Sequence, residues 1–258
     1  MHHIYQHFRA EEKEFIDQVL SWRQFVEDSY TGKLTDFLDP RQVFIVQSVI
    51  GKHEEIKVKI FGGTEKAERK RAWIHPDYLK PSIADFQLTL LEVQYPSKFV
   101  RIEHRDVLGS LMSLGLKREK FGDILFHHDR IQFFICKEMQ EYLYLHLNRI
   151  GNVKVALIEK QLEEAIITTD NWETFTVTAS SLRLDVLLAA ICRISRQKAA
   201  AMIQQTQVKV NWHLVEQPAF ECREADIISA RGFGRGKIVK IDGRTKKDKW
   251  RLTIGKLK

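Results

Sequence analysis

Nine residues in the last third of the chain are of types that hold phosphate. Arg183, Arg196, Lys198, Lys209, Arg231, Arg235 and Lys237 carry positive charge, and Ser195 and Asn211 add short polar side chains among them. An arginine can engage a phosphate through two parallel hydrogen bonds, and a lysine acts as a mobile point charge. Gly232, Gly234 and Gly236 surround Phe233 and Arg235, and glycine lets backbone approach a ligand closely. Any one of these cations alone is an ordinary surface residue. Their concentration is what carries the reading. Residues 180–258 hold 17 Lys+Arg against 7 Asp+Glu, a balance of +10, whereas the rest of the chain holds 24 against 27, a balance of −3. The net charge of +7 therefore comes from the C-terminal third. Charge concentrated in this way is an electrostatic footprint for a polyanion.

Short elements must position these residues. Leu184, Leu187, Leu188 and Ile191 share one helical face. Ser195 is placed to cap a second helix, with Arg196 and Lys198 in its first turn. The alternation in Val208-Lys209-Val210-Asn211 predicts a half-buried strand with Lys209 and Asn211 facing out. Residues 226–231 read as a further strand ending in Arg231. Asp185 is expected to pair with a nearby arginine and hold it in place. The alternating run 172–178 predicts a strand that leads into this region. Strands over 238–241 and 250–254 follow it, joined through a turn at Asp242-Gly243 and a charged loop over 244–249.

The first two thirds of the chain are less charged and read as two further units. An amphipathic helix is expected over 9–28, ended by Gly32. A second starts at Asp39-Pro40, with aspartate as cap and proline at the first helical position, and runs to Ile50. Residues 56–61 alternate as a strand, Gly62-Gly63 turns the chain, and a second strand follows near Trp73 and Ile74. No G-x-x-x-x-G-K-[ST] is present, so the glycine pair reads as a hairpin turn rather than a phosphate loop. Arg69-Lys70-Arg71 is either a phosphate contact or a solvated strand edge. Pro76 and Pro81 flank an irregular link over 75–82. Beyond it, a strand (86–93), a helix (105–114), two strands (123–126 and 131–135), a helix (137–148) and a strand (153–158) give the order β-α-β-β-α-β. That is the ferredoxin-like split βαβ pattern shared by RNA-recognition-motif domains. Phe133 and Phe134 are adjacent, so only one of them can face outward as a stacking platform. Packing between domains is the default role for this sheet. His127-His128-Asp129-Arg130 reads as a hairpin turn, because adjacent histidines in a strand point to opposite faces and chelate poorly.

With 258 residues, 44% apolar and 29% charged, the chain allows two or three small domains. No apolar run reaches about 18 residues, so no membrane span is expected. Met1-His2-His3-Ile4-Tyr5 lacks the pattern of a signal peptide. Cys136, Cys192 and Cys222 form no CxxC pair, which argues against a disulfide scaffold and structural zinc and for a reducing cytoplasm. No cofactor or metal is expected. No Ser/His/Asp set, paired catalytic carboxylates or glycine-rich Rossmann turn stands out.

The ordered groups Leu182–Asp185, Ser195–Lys198, Val208–Asn211 and Asp226–Gly232 resemble the S4 domain, a small RNA-binding module, over residues 182–240. Ala225 stands where that family usually has glycine. S4 modules often accompany pseudouridine synthases, tyrosyl-tRNA synthetases and some RNA methyltransferases. Here Arg183-Leu184-Asp185 belongs to the S4 helix itself and has no second copy, and Ile50-Gly51-Lys52-His53 is not the synthetase motif. Over nearly its whole length the chain is similar to the YlmH family of bacterial S4-domain proteins. The residues that carry this likeness are Phe61-Gly62-Gly63, Glu68–Arg71, Tyr95-Pro96-Ser97-Lys98-Phe99, His104–Gly109 and Lys120–Ile124. The element order, together with this resemblance, describes an α+β, multi-domain protein. Its parts are an N-terminal α/β unit (1–80), a ferredoxin-like (RRM-like) βαββαβ middle domain (83–165) and a C-terminal S4 (alpha-L) domain (175–258). The resemblance also implies binding of rRNA and tRNA at the large ribosomal subunit and a part in ribosome-associated quality control; with none of these catalytic motifs or residue sets standing out, a binding protein rather than an enzyme is expected. An RNA-modifying enzyme of the pseudouridine-synthase kind and a scaffold for cell-division proteins stand as alternatives.

Overall fold

The computed structural model describes residues 5, 8–51, 53–167 and 172–257; His2 and His3 lie outside them. The fold is mixed α and β, and the chain forms two compact units, 1–168 and 169–258.

The first unit contains two sheets. Strands β1 (Lys33–Leu38), β2 (Ile56–Phe61) and β3 (Lys70–Pro76) form an antiparallel sheet in the order β1-β3-β2. Helices α1 (Lys13–Ser29) and α2 (Pro40–Ile50) bury Ile16, Val19, Val46 and Ile50 with Ala72 and Ile74 of β3. The start of α2 is as the sequence predicts. Asp39 accepts from the Gln42 backbone N–H (2.9 Å), the Gln42 side chain accepts from Asp39 N–H (2.9 Å), and Pro40 follows the cap. Strand β1 escaped sequence reading because a bulge between Leu34 and Phe37 breaks its alternation.

The second sheet of this unit has the expected split βαβ topology. Strands β4 (Leu88–Gln94), β5 (Phe121–His127), β6 (Arg130–Cys136) and β9 (Ala156–Lys160) pair antiparallel in the order β5-β6-β4-β9. Helices α3 (His104–Ser113) and α4 (Gln140–His146) cover one face through Val107, Leu111, Leu143, Leu91 and Phe133. A small hairpin of β7 (Arg149–Ile150) and β8 (Val153–Lys154) precedes β9, and the run 153–158 that reads from sequence as one strand divides between β8 and β9. The other face is covered by the N-terminal part of the unit and by the segment after β9. There Phe134, Leu90, Leu125 and Cys136 pack with Phe37 of β1 and with Ile166. Gly63, at φ 97°, lies so close to the Phe134 ring that a Cβ would stand 2.2 Å from it. The glycine pair thus turns the chain and also seats an aromatic ring.

Arg69-Lys70-Arg71 does not form a cationic edge. Arg69 and Arg71 are 7% and 4% exposed. Arg69 donates to the carbonyls of Phe37 (2.9 Å) and Phe121 (3.2 Å), and Arg71 to those of Thr35 (2.7 Å), Phe86 (3.0 Å) and Gln87 (3.0 Å). Both arginines tie the two sheets together, so neither is a phosphate contact.

The second unit is one six-stranded antiparallel sheet. Its strands are β10 (Trp172–Ala179), β11 (Val208–Val210), β12 (His213–Leu214), β13 (Ile227–Ala230), β14 (Gly234–Arg244) and β15 (Trp250–Leu257), in the order β10-β15-β14-β13-β11-β12. Helices α5 (Leu184–Cys192) and α6 (Arg196–Gln204) pack on one face over Leu184, Leu188, Ile203, Val208, Ile228, Ile238 and Ile254. The expected turn at Asp242-Gly243 is absent, because β14 continues through it and the chain reverses over 245–249. Gly243, at φ 96°, lies in an irregularity between Ile241 and Arg244, so the Asp-Gly pair makes a bulge instead.

Candidate nucleic-acid interface

The helix side of the C-terminal unit is organised by one carboxylate. Backbone bonds from Leu184 N–H to Phe220 O (2.8 Å) and from Asp185 N–H to Pro218 O (3.1 Å) pin the start of α5. Asp185, 3% exposed, accepts from Arg183 Nε (3.1 Å) and Nη2 (3.2 Å), from Arg196 Nε (2.8 Å) and from Val186 N–H (3.0 Å). Burial alone would raise its pKa. The bonds from Arg183 and Arg196 outweigh burial and hold it below the ordinary carboxylate value. The same bond holds the Arg183 guanidinium above its ordinary value. Asp185 thus holds arginine in place as the sequence led one to expect, and it holds two. Arg196 uses only Nε in this pairing, and its side chain remains 59% exposed. A guanidinium has five N–H donors, so donors remain for an anion.

Ser195 caps α6, its hydroxyl oxygen accepting from Lys198 N–H (3.1 Å). The Lys198 ammonium stands 6.0 Å from the centroid of Phe233, which lies in the β13–β14 turn between Gly232 (φ 82°) and Gly234 (φ 84°). Arg231 is exposed in that turn. Farther along, Gly236 lets β14 pass under α5, where an added Cβ would stand 3.2 Å from Ile191 Cγ2. One side of the unit therefore gathers Arg183, Ser195, Arg196 and Lys198, and the hairpin that carries Arg231 reaches them through Phe233.

The remaining residues fall elsewhere. Lys209 and Arg235 both pair with Ser229, and Lys237 stands opposite Gly255. Val208, Val210, Gly236 and Ile238 alternate with them and face the helices, so Lys209, Arg235 and Lys237 point to the opposite side of the sheet. Asn211 does not face out as alternation suggests. The chain enters the left-handed region at Asn211 (φ 49°) and Trp212 (φ 69°), and Asn211 is buried. Its amide donates to Asp226 Oδ1 (2.7 Å), and its side-chain oxygen accepts from Ile227 N–H (3.0 Å). Asn211 shapes the loop rather than meeting a ligand. Two outward cations were not singled out from sequence, Lys240 opposite Thr253 and Arg251 opposite Thr178. Arg251 was legible in the alternation of Trp250–Ile254, whereas Lys240 faces out only because of the irregularity after Ile238.

In the middle domain, Phe133 and Phe134 are both fully buried, one on each face of the sheet. Neither is available to stack on a base. Among the described residues, one group of metal-type donors, Asp36, Cys136 and Glu138, comes together. The Lys120 ammonium lies between its carboxylates, 2.7 Å from Asp36 and 3.0 Å from Glu138, and supplies the positive charge there. Burial pushes the Cys136 thiol up to about 12, so it is not a thiolate. No described helix is long and apolar enough to cross a membrane.

The chain matches three family descriptions: "YlmH, N-terminal" over residues 11–79, "Putative RNA-binding domain in YlmH" over 81–164, and "S4 domain" over 182–228. A protein of Bacillus subtilis (strain 168) named Ribosome-associated protein quality control protein P2 is 43% identical over 258 residues, 100% of each chain. The solved structure of the cell division protein ylmH from Streptococcus pneumoniae aligns with a TM-score of 0.56 at 33% identity. It covers 63% of this chain and 99% of its own.

Proposed function

Because this chain belongs to the YlmH family of S4-domain, RNA-binding proteins, we propose that it acts without catalysis, docking on structured rRNA and tRNA at the large ribosomal subunit. There it takes part in quality control of stalled translation in the cytoplasm. The observation that carries this reading is the pair of arginines held by one buried carboxylate at the starts of two helices. Side chains ordered before binding lose less entropy when they meet a phosphate, and helix N-termini add the positive ends of two dipoles. Lys198 and Arg231 extend the positive surface. The name of the full-length Bacillus relative supports association with ribosomes, and the family resemblance supports the large subunit and its tRNA. In this reading Arg183, Arg196, Lys198 and Arg231 contact phosphate, Ser195 caps the helix that carries two of them, and Asn211 holds the loop after β11.

The test is sedimentation of tagged protein through a sucrose gradient of bacterial lysate, at low and moderate salt. Wild type is expected with the large subunits, and Lys198→Ala/Arg231→Ala near the top. Wild type found only at the top would overturn the ribosomal reading. A second reading, a scaffold for cell-division proteins, is supported by the name of the streptococcal structure. Division proteins captured by the wild type after RNase treatment would favour it.

A further inference from the structure

The helices cover only one face of the C-terminal sheet, and the other face has its own charge. Register puts Lys209, Ser229 and Arg235 in one row across β11, β13 and β14. Lys237 follows two residues after Arg235, Lys240 stands opposite Thr253, and Arg251 stands opposite Thr178. The residues alternating with them, Val208, Val210, Ile228, Ile238, Leu252 and Ile254, are buried under α5 and α6. All five cations therefore share the outer face. Lys209, Lys240 and Arg251 are exposed, and Arg235 and Lys237 are half-buried. Along these strands, Asp242 is the one carboxylate of outward register among the described residues. It accepts from Thr253 Oγ1 (2.8 Å) and stands 3.6 Å from Lys240 Nζ. Thr174, Thr176, Thr178 and Ser229 add hydroxyls in the same register.

We propose that this outer sheet face is a second RNA-binding surface, so that the C-terminal unit holds two RNA segments at once, one on each side of its sheet. The proposal rests on the RNA-binding reading of the helix side and goes beyond it. Cations and hydroxyls at strand spacing on a broad face suit the sugar-phosphate backbone of an A-form duplex, which proteins recognise by shape, phosphate and 2′-OH. They do not suit a small ligand, which needs a concave, largely apolar pocket. Arg235 follows the hairpin tip that carries Arg231, so the two surfaces meet at one edge.

The test is a capture assay with the full chain. One biotinylated RNA hairpin is fixed on beads, and a second, fluorescent hairpin is offered in solution with the protein. Wild type is expected to retain fluorescence on the beads. Lys209→Glu/Lys237→Glu/Arg251→Glu is expected to bind the fixed hairpin but to lower the captured fluorescence by about tenfold or more, since several phosphate contacts are lost. Capture that survives this triple reversal, or wild type that binds one hairpin without capturing the second, overturns the proposal and leaves the helix-side reading standing. Lys198→Glu/Arg231→Glu supplies the separate control. It is expected to lose the captured fluorescence too, with one surface left; if it captures the second hairpin as the wild type does, the helix-side reading fails on its own account.

Discussion

Asp185 is a positioning residue, and its chemistry makes that testable. With Asn in its place, Arg183 and Arg196 lose their shared anchor and α5 and α6 lose the link between their starts. Hydrogen bonds to a charged group are worth roughly 1.5–3 kcal/mol, and Asp185→Asn is expected to destabilise the C-terminal unit by about that amount and to weaken RNA binding. The folded pKa of Asp185 lies below its ordinary value. Its stabilising contribution is therefore present above the ordinary carboxylate range, about pH 4, and is lost as pH falls through the depressed folded value. Chemical denaturation followed from neutral pH into acid should show wild type losing stability there and the Asn variant losing less. Equal acid sensitivity of the two proteins would remove Asp185 from this role. Arg71 offers the opposite test. It has the residue type of a phosphate ligand, yet it is engaged with three carbonyls of the first unit. Arg71→Met is expected to lower stability by about 2–3 kcal/mol, since carbonyls are left unpaired in the interior. RNA affinity of the folded variant should not change.

At the scale of elements, Ala225 is the clearest departure from a local rule. It lies at φ 71°, where its N–H donates to Ile238 O (2.8 Å) just before Asp226. A left-handed alanine is strained by about 1–2 kcal/mol, and glycine at such a position is not, although glycine costs more to order. Ala225→Gly is expected to stabilise the C-terminal unit by about 0.5–1 kcal/mol, read as a rise in Tm. A fall would mean that the turn is not held at positive φ in solution. The usual family glycine at this place therefore has a backbone reason that the sequence signalled. Other features followed periodicity equally well, among them the cap at Asp39-Pro40, the βαββαβ order and the cap at Ser195. What escaped was broken periodicity. β1 is bulged at Leu34/Phe37, β14 runs through an Asp-Gly that resembles a turn, and Asn211 leaves the strand just where alternation would have turned it outward. The burial of Arg69 and Arg71 was illegible for another reason. Their partners are carbonyls 15 to 52 residues away in sequence, and a charged run carries no trace of them.

Across the whole molecule, charge divides along the same line as the cores. Residues 169–258 hold 17 Lys+Arg against 9 Asp+Glu, and residues 1–168 hold 24 against 25. In the first unit the sheet that an RNA-recognition motif would offer to bases instead packs Phe134 against Gly63 and Phe37. Counterion release links each phosphate contact to the salt dependence of binding, with a slope of about 0.9 per contact on duplex nucleic acid. Removing two contacting cations from the second unit, as in Lys198→Ala/Arg231→Ala, should therefore flatten log K against log salt by about 2. Removing two cations from the first unit, as in Lys70→Ala/Lys98→Ala, should leave the slope where it was. Titrations of a labelled RNA hairpin across a range of potassium chloride would decide between them. If the first-unit variant flattened the slope as much as the second-unit variant, the positive surface that matters would have to include the near-neutral unit. The concentration of charge in the C-terminal third would then lose its meaning as the guide to where RNA sits.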